Sequence, residues 1–559
     1  MFGSRISVYG YVDDVHIVGD VDDVLAAHTA FIQHLRNIEL VVNPDKCSLL
    51  YFHNNTHPLT NAQLTTLHGT GLQWDADCLD SAEVLGAVIG IDATAIARRL
   101  RDRMQGANGL FGAFFRRVGS GGFNVQAAML LLANSVGRLS YLLRCLPPEA
   151  LQEVAHEWDD LLLSAVAVVL DLAVDEVGMP DAVATLRRPR ALGGFGLSSA
   201  VFVSPLAFIA SIAASAAQPG GHPLAVDDLS TTSLLHQWLD AALTCPTIAD
   251  LLENAIRGVQ DLHTDAGTFL GHYHSHPNQA ANLQSKLTTG STNLSFNARV
   301  EEEKRTGTKR GEARLHGARA KYAPRWKLVK PTESAYQLSD EFYRYAARRD
   351  LGLPPTRDRV LPRQCPACGL GVAEDGLHGQ RCIFNSATRK LRHDTIEVQL
   401  VETIRDGVGI AYRQQHNLPA AERTVPDLVI HLGNKTYLCD VTVADTLADS
   451  NLATASGGPA RLENAAAKKK VDKYARVEAA LHATHWPFAV ETMGGLSTTA
   501  QRLLREIHNA ASSGCTWRCA EDIGNHLVDS IAIAVQRCNG MAQQASVEME
   551  ARVASGVSA

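Results

Sequence analysis

The pattern of apolar and polar positions changes character several times along the chain. Residues 1–90 are mixed. Short β-branched runs at Ile6–Tyr9 and Val15–Val18 predict two strands, and a helix is predicted from about Asp22 to Ile38, ahead of the apolar stretch "LVVNPDKCSLLYF". From 91 to 260 apolar residues recur at three- and four-residue spacing, as in "AAMLLLANSVGRLSYLLRCL" from Ala127. Breaks fall at Pro147–Pro148 and Gly193–Gly194, so a helical bundle is expected. Residues 261–339 turn polar and then basic, a linker composition. A second globular unit is predicted over 340–530, and the Ala/Gly/Ser-rich stretch 531–559 reads as a flexible tail. The expected class is a multidomain α+β protein.

Composition narrows the class. At 559 residues, with 46% hydrophobic and 20% charged residues, the chain has ordinary globular composition. Its longest apolar runs, "LLLSAVAVVL" from Leu161 and "PLAFIASIAASAA" from Pro205, are too short to cross a bilayer. The start lacks a signal-peptide pattern, so a protein neither secreted nor membrane-bound is expected, nuclear or cytoplasmic. Eleven cysteines, most of them scattered singly, suit a reducing compartment. The net charge of −7 argues against a simple nucleic-acid binder, but the average conceals a block. Between Lys304 and Lys330 ten lysines and arginines face one acid, Glu312. Lys304, Arg305, Lys309, Arg310, Arg325 and Lys327 are therefore candidate phosphate contacts, against the plainer reading of a solvated linker.

Three motifs carry candidate chemistry. "CPACGLGVAEDGLHGQRC" places Cys365, Cys368, His378 and Cys382 at knuckle spacing, a soft donor set suited to structural Zn²⁺. "VPDLVIHLGNKTYLCDVTV" reads as a hairpin with a Gly433–Asn434 turn. With that turn Asp427 faces Asp440, close enough for the two carboxylates to hold one Mg²⁺ (or Mn²⁺). The alternative is a pair of ordinary strand-end aspartates. Downstream, Lys468, Lys469, Lys470 and Lys473 lie on a predicted helix, where they offer a cation or merely a solvated face. The third motif, "YVDD" near the start, sets Asp13 and Asp14 in a turn, where aspartates are common with or without a metal.

These motifs together resemble a known family. Tyr11-Val12-Asp13-Asp14, then Asn43, Pro44 and Lys46, then Leu85-Gly86 resemble consecutive palm motifs of reverse transcriptases, and "LGGFGLSSA" from Leu192 resembles a segment that follows the thumb in non-LTR retrotransposon proteins. Pro426-Asp427, Asp440 and a "KxxKY" pattern at Lys470–Tyr474 resemble the PD-(D/E)xK core of the restriction-like endonucleases in that family. The lysine position two after the second acid is Thr442 here, which departs from the general PD-(D/E)xK pattern.

The resemblance implies a partial reverse transcriptase palm (1–90), a helical thumb and connector (91–260), a basic linker (261–339), a linker helix with a CCHC zinc knuckle (340–385) and an α/β endonuclease (386–530). It also implies DNA and RNA as partners, Arg392-His393 as a nucleic-acid contact and Glu397 as a further metal ligand. Asp13 and Asp14 would be the polymerase metal ligands. With ten residues ahead of the "YVDD" motif, the family's upstream aspartate and fingers are expected to be missing, so an N-terminally truncated, inactive polymerase is expected beside a DNA-nicking endonuclease. The alternatives are a catalytically dead nucleic-acid-binding protein and a group II intron type maturase fragment.

Overall fold

The computed structural model describes the chain except for residues 1–5, 12–13, 44–46, 48–59, 70–80, 85, 91–92, 106–109, 217–252, 254, 258–281, 307–308, 358–363, 373–375, 407, 414–424, 482, 515–519 and 555–559. The fold is mixed α+β, mostly helical with small sheets. Among the described residues no helix is long and apolar enough to cross a membrane.

Both predicted N-terminal strands form. Strands β1 (Ile6–Tyr11) and β2 (Asp14–Gly19) pair antiparallel with Tyr11 opposite Asp14, and a helix follows over Val21–Asn37. Asp13, Pro44, Lys46 and Leu85 lie outside the described residues. A second small hairpin joins β3 (Ser81–Val84) to β4 (Ala87–Gly90).

The helical region is built around α1 (Pro148–Leu170), which opens with proline in its first turn, where no N–H is missed. Its apolar positions Leu151, Val154, Trp158, Leu162 and Val166 recur every three to four residues and are buried, with the Trp158 ring edge-on to Phe115 at 4.8 Å. Asp159 on the same helix accepts the N–H of Ala200 at 2.7 Å and so caps α2 (Ala200–Ala216). The preceding "LGGFG" segment needs its glycines: a Cβ on Gly194 would lie 2.0 Å from the carbonyl oxygen of Arg188.

The basic stretch is not a linker. It folds into α3 (Leu283–Thr306) and α4 (Lys309–Arg319), because a second, apolar pattern runs through the charges: Ala313, Leu315, Ala318, Ala323, Trp326 and Val329 are all buried. Lys327 is buried with them. Its Nζ sits 2.7 Å from Asp350 and 2.7 Å from the carbonyl oxygen of Gly193, pinning the glycine turn to α5 (Asp340–Leu351). Desolvating a charge costs several kcal/mol unless it is paired and hydrogen-bonded, which this lysine is.

The C-terminal unit packs α6 (Ser386–Arg405), α7 (Arg461–Leu481), α8 (Thr498–Gly514) and α9 (Ala520–Ala554) around short strands. Strands β5 (Ile410–Arg413), β6 (Leu428–Leu432) and β7 (Lys435–Cys439) are antiparallel neighbours, and β9 (Thr484–His485) pairs parallel with β7. Beyond Asp440, β8 (Val441–Ala444) pairs parallel with β10 (Phe488–Glu491). Leu428, Ile430 and Leu432 meet Ile396, Leu400 and Ile404 of α6 and Leu527, Ile531 and Val535 of α9 in one core.

The stretch 531–559, expected as a flexible tail, is helical through Ala554. Leu527, Ile531, Val535, Cys538 and Ala542 repeat at helical spacing and are buried, while Ala532 and Ile533 reach the core of the helical region. Its small residues serve close packing, since a Cβ on Gly540 would collide with the Phe342 side chain.

Candidate active site and metal centre

The knuckle residues converge. Cys365 donates its N–H to the carbonyl oxygen of Leu370, closing a tight turn that carries Cys368, and Cys382 follows a single 3₁₀ turn over Leu377–Gln380 that carries His378. The Sγ atoms of Cys365 and Cys382 are 3.9 Å apart, and Cys368 Sγ is 3.1 Å from His378 Nε2. All four donor atoms lie within 4.8 Å of one another. Donors bound tetrahedrally at about 2.3 Å lie roughly 3.8 Å apart, so the cluster fits one metal ion. Burial pushes both terminal thiols up. At Cys365 the N–H groups of Cys368 and Ala367 outweigh that and hold it low, whereas Cys382 is pushed up to about 11. The knuckle docks on α9: Gln543 donates to the carbonyl oxygen of Gly376, and Asn385 donates to that of Ala542.

The second hairpin has the expected register. Leu428 pairs with Cys439 and Leu432 with Lys435, with Gly433 at a φ of 59° in the turn, so Asp427 and Asp440 stand opposite each other just beyond the ladder. Each carboxylate is drawn to its own partners. Asp440, buried, accepts from Lys470 Nζ of α7 at 2.8 Å, and its other oxygen lies 3.5 Å from Nε2 of the buried His485. Burial alone would raise its pKa, but His485, Lys470 and Tyr474 hold it well below the usual carboxylate range. The Tyr474 ring stacks on His485 at 4.1 Å, and its hydroxyl donates to the carbonyl oxygen of Val425, fixing the backbone just before Pro426.

Asp427 Oδ2 accepts the N–H of Val441 at 2.7 Å and meets His393 Nε2 at 3.2 Å. His393 Nδ1 in turn lies 3.2 Å from Glu397 and 3.3 Å from Asp394. Asp427 raises His393 to about 9. Glu397, buried, ion-pairs with Arg413; burial raises its pKa against the pull of His393 and Arg413.

The structure therefore brings Asp427, Asp440, Lys470, His393 and Glu397 to one end of the sheet and separates other expected site residues from it. Lys473 is exposed, with its Nζ 5.1 Å from the Tyr474 ring. Arg392, expected to contact nucleic acid, is buried on Asn539, and Lys327 is buried on Asp350, so neither presents its charge to a phosphate. Arg325 pairs with Asp529, and Arg310 donates to the carbonyl oxygen of Leu447 and to Asp449, because both arginines lie where elements pack together. Lys304 and Arg305 stay on the surface in helical ion pairs with Glu301 and Glu302, and Lys309 is exposed. Sequence reasoning missed His485 and Arg413, and it read His393 as a nucleic-acid contact. A histidine directly before the "WP" of Trp486–Pro487 gives no periodic signal; its role comes from β9 pairing with β7. Set against models of known families and against curated proteins, the chain matches none of them.

Proposed function

We infer that residues 386–530 are a metal-dependent DNA endonuclease of the PD-(D/E)xK kind, within a protein resembling the reverse transcriptase and endonuclease of non-LTR retrotransposons. The observation that carries this reading is the 2.8 Å contact of Lys470 with Asp440, on a hairpin whose register sets Asp427 directly opposite. An acid pair with one fixed lysine is what phosphodiester cleavage uses. A magnesium (or manganese) ion held by Asp427 and Asp440 would polarise the scissile phosphate and acidify a bound water. Lys470 supplies the fixed cation beside the charge that develops on phosphorus-bound oxygens. His485 and Tyr474 hold Asp440 in place and ionised, and Val441 N–H fixes Asp427.

The Cys365, Cys368, His378 and Cys382 cluster is read as a structural zinc site, since all four donors are protein groups and leave no open position. A nicked strand with a 3′-hydroxyl would prime synthesis on an RNA template, and the Asp13–Asp14 turn is read as the metal-binding turn of that polymerase. DNA and RNA are then the partners, and the place of work is the nucleus or cytoplasm. The test is a supercoiled-plasmid nicking assay on the full chain with Mg²⁺. Native protein should yield nicked circles extendable from a 3′-hydroxyl, and Asp440→Asn should yield them about a hundredfold more slowly. Equal nicking by the two proteins would overturn the assignment.

A further inference from the structure

We propose that His393, Asp394 and Glu397 form a second metal site on α6, selective for a divalent transition ion such as Mn²⁺ or Fe²⁺ over Mg²⁺, with Asp427 as the acceptor that orients the histidine. The three residues occupy one and a bit turns of one helix, and their ligand atoms lie within 4.8 Å of one another. His393 Nδ1 is 3.3 Å from Asp394 Oδ1 and 3.2 Å from Glu397 Oε1. Donors bonded at about 2.1 Å to one ion lie about 3.0 Å apart in an octahedron and about 3.4 Å apart in a tetrahedron, so these separations suit a shared ion with little movement. The opposite ring nitrogen, Nε2, meets Asp427 Oδ2 at 3.2 Å. That is the arrangement in which a ligating imidazole gives its other N–H to a carboxylate, fixing ring and tautomer.

The donor set decides the class of ion. One imidazole with two carboxylates is a mixed nitrogen and oxygen site with positions left open, and imidazole favours first-row transition ions over the hard magnesium ion. Among the described residues both hydrogen-bond contacts of Asp427 fall on Oδ2, which leaves Oδ1 to the magnesium ion of the nuclease reading. The proposal rests on that reading only for the ion's use in cutting DNA; binding itself stands on the α6 geometry. A resident counter-ion competes with the metal: Arg413 of β5 pairs with Glu397 Oε2 and lies 3.6 Å from Asp394.

The experiment adds Mn²⁺ to the full chain with its knuckle loaded with zinc, and reads ¹⁴N coupling to manganese by pulsed electron paramagnetic resonance together with affinity by titration. Native protein should show imidazole nitrogen coupling, and His393→Gln should lose it. Arg413→Gln keeps all three donors and removes the competitor, so it should bind Mn²⁺ several-fold more tightly. Absence of nitrogen coupling in native protein, its persistence in His393→Gln, or weaker binding by Arg413→Gln would overturn the proposal. Asp440→Asn separates this site from the nuclease reading: it should slow nicking about a hundredfold yet keep the nitrogen coupling, and loss of coupling there would also count against the site.

Discussion

Two hairpins in this chain carry aspartates near their turns or ends, and they sit in opposite surroundings. Among the described residues the first, β1–β2, is a two-stranded sheet, with Val8, Val15 and Val18 each more than two-fifths exposed. The second, β6–β7, is flanked by β5 and β9, and its Leu428, Ile430 and Cys439 are fully buried between α6, α8 and α9. A two-stranded hairpin is marginally stable without a covered face. Enclosure also changes the chemistry. Asp440 is fixed by a lysine, a buried histidine and a stacked tyrosine before any substrate arrives. The difference teaches that an acid on a strand becomes a candidate catalyst through the residues packed around it.

The largest expected difference between the two hairpins is in stability. Ile430→Ala should cost about 2–5 kcal/mol in urea unfolding, as for other large-to-small core changes. Val18→Ala, at a 57% exposed position, should stay within about 0.5 kcal/mol, and comparable losses at both sites would break the contrast. Nicking should discriminate next: Lys470→Ala should slow it about tenfold to a hundredfold, while Lys473→Ala and Asp14→Asn should leave its rate within about twofold. A larger defect in Lys473→Ala than in Lys470→Ala would move the cation to the wrong face of α7.

The smallest effect concerns acids that the hairpin chemistry does not use. Glu491, at the end of β10, is buried beside Glu463 and Asp445, and burial followed by Glu463 raises its pKa well above the usual carboxylate value. A raised pKa in the fold means stability present at acid pH and lost as pH climbs above about 4.5 toward the folded value. Glu491→Gln should flatten that decline by about 1 kcal/mol or more in denaturation at pH 5 and pH 8. A slope identical to that of native protein would show that the pair is hydrated and inert.

Much of the second hairpin was legible in the sequence. Alternating apolar residues and a Gly-Asn turn fix register by themselves, because slipping one residue turns every side chain to the wrong face. The four knuckle ligands were legible through spacing. Lys470 could not be told from Lys473 by pattern, because both follow the helical repeat and only the position of α7 against β8 selects one. The basic stretch misled for a related reason: ten cations drew attention from Leu315, Trp326 and Val329, the residues that decide where that segment goes. The final helix misled because alanine, glycine and serine read as loose chain in isolation and as close packing once α5 and α6 lie against them.

The claim that Asp440 and Lys470 work as one unit on this hairpin is tested most directly by a double-mutant cycle. Nicking rates would be measured for native protein, Asp440→Asn, Lys470→Met and the double variant, all in full-length chains with Mg²⁺. Groups that act together are strongly non-additive, so the double variant should be no slower than the worse single variant by more than about threefold. Rates that multiply, with each substitution contributing its full defect in the presence of the other, would contradict the account.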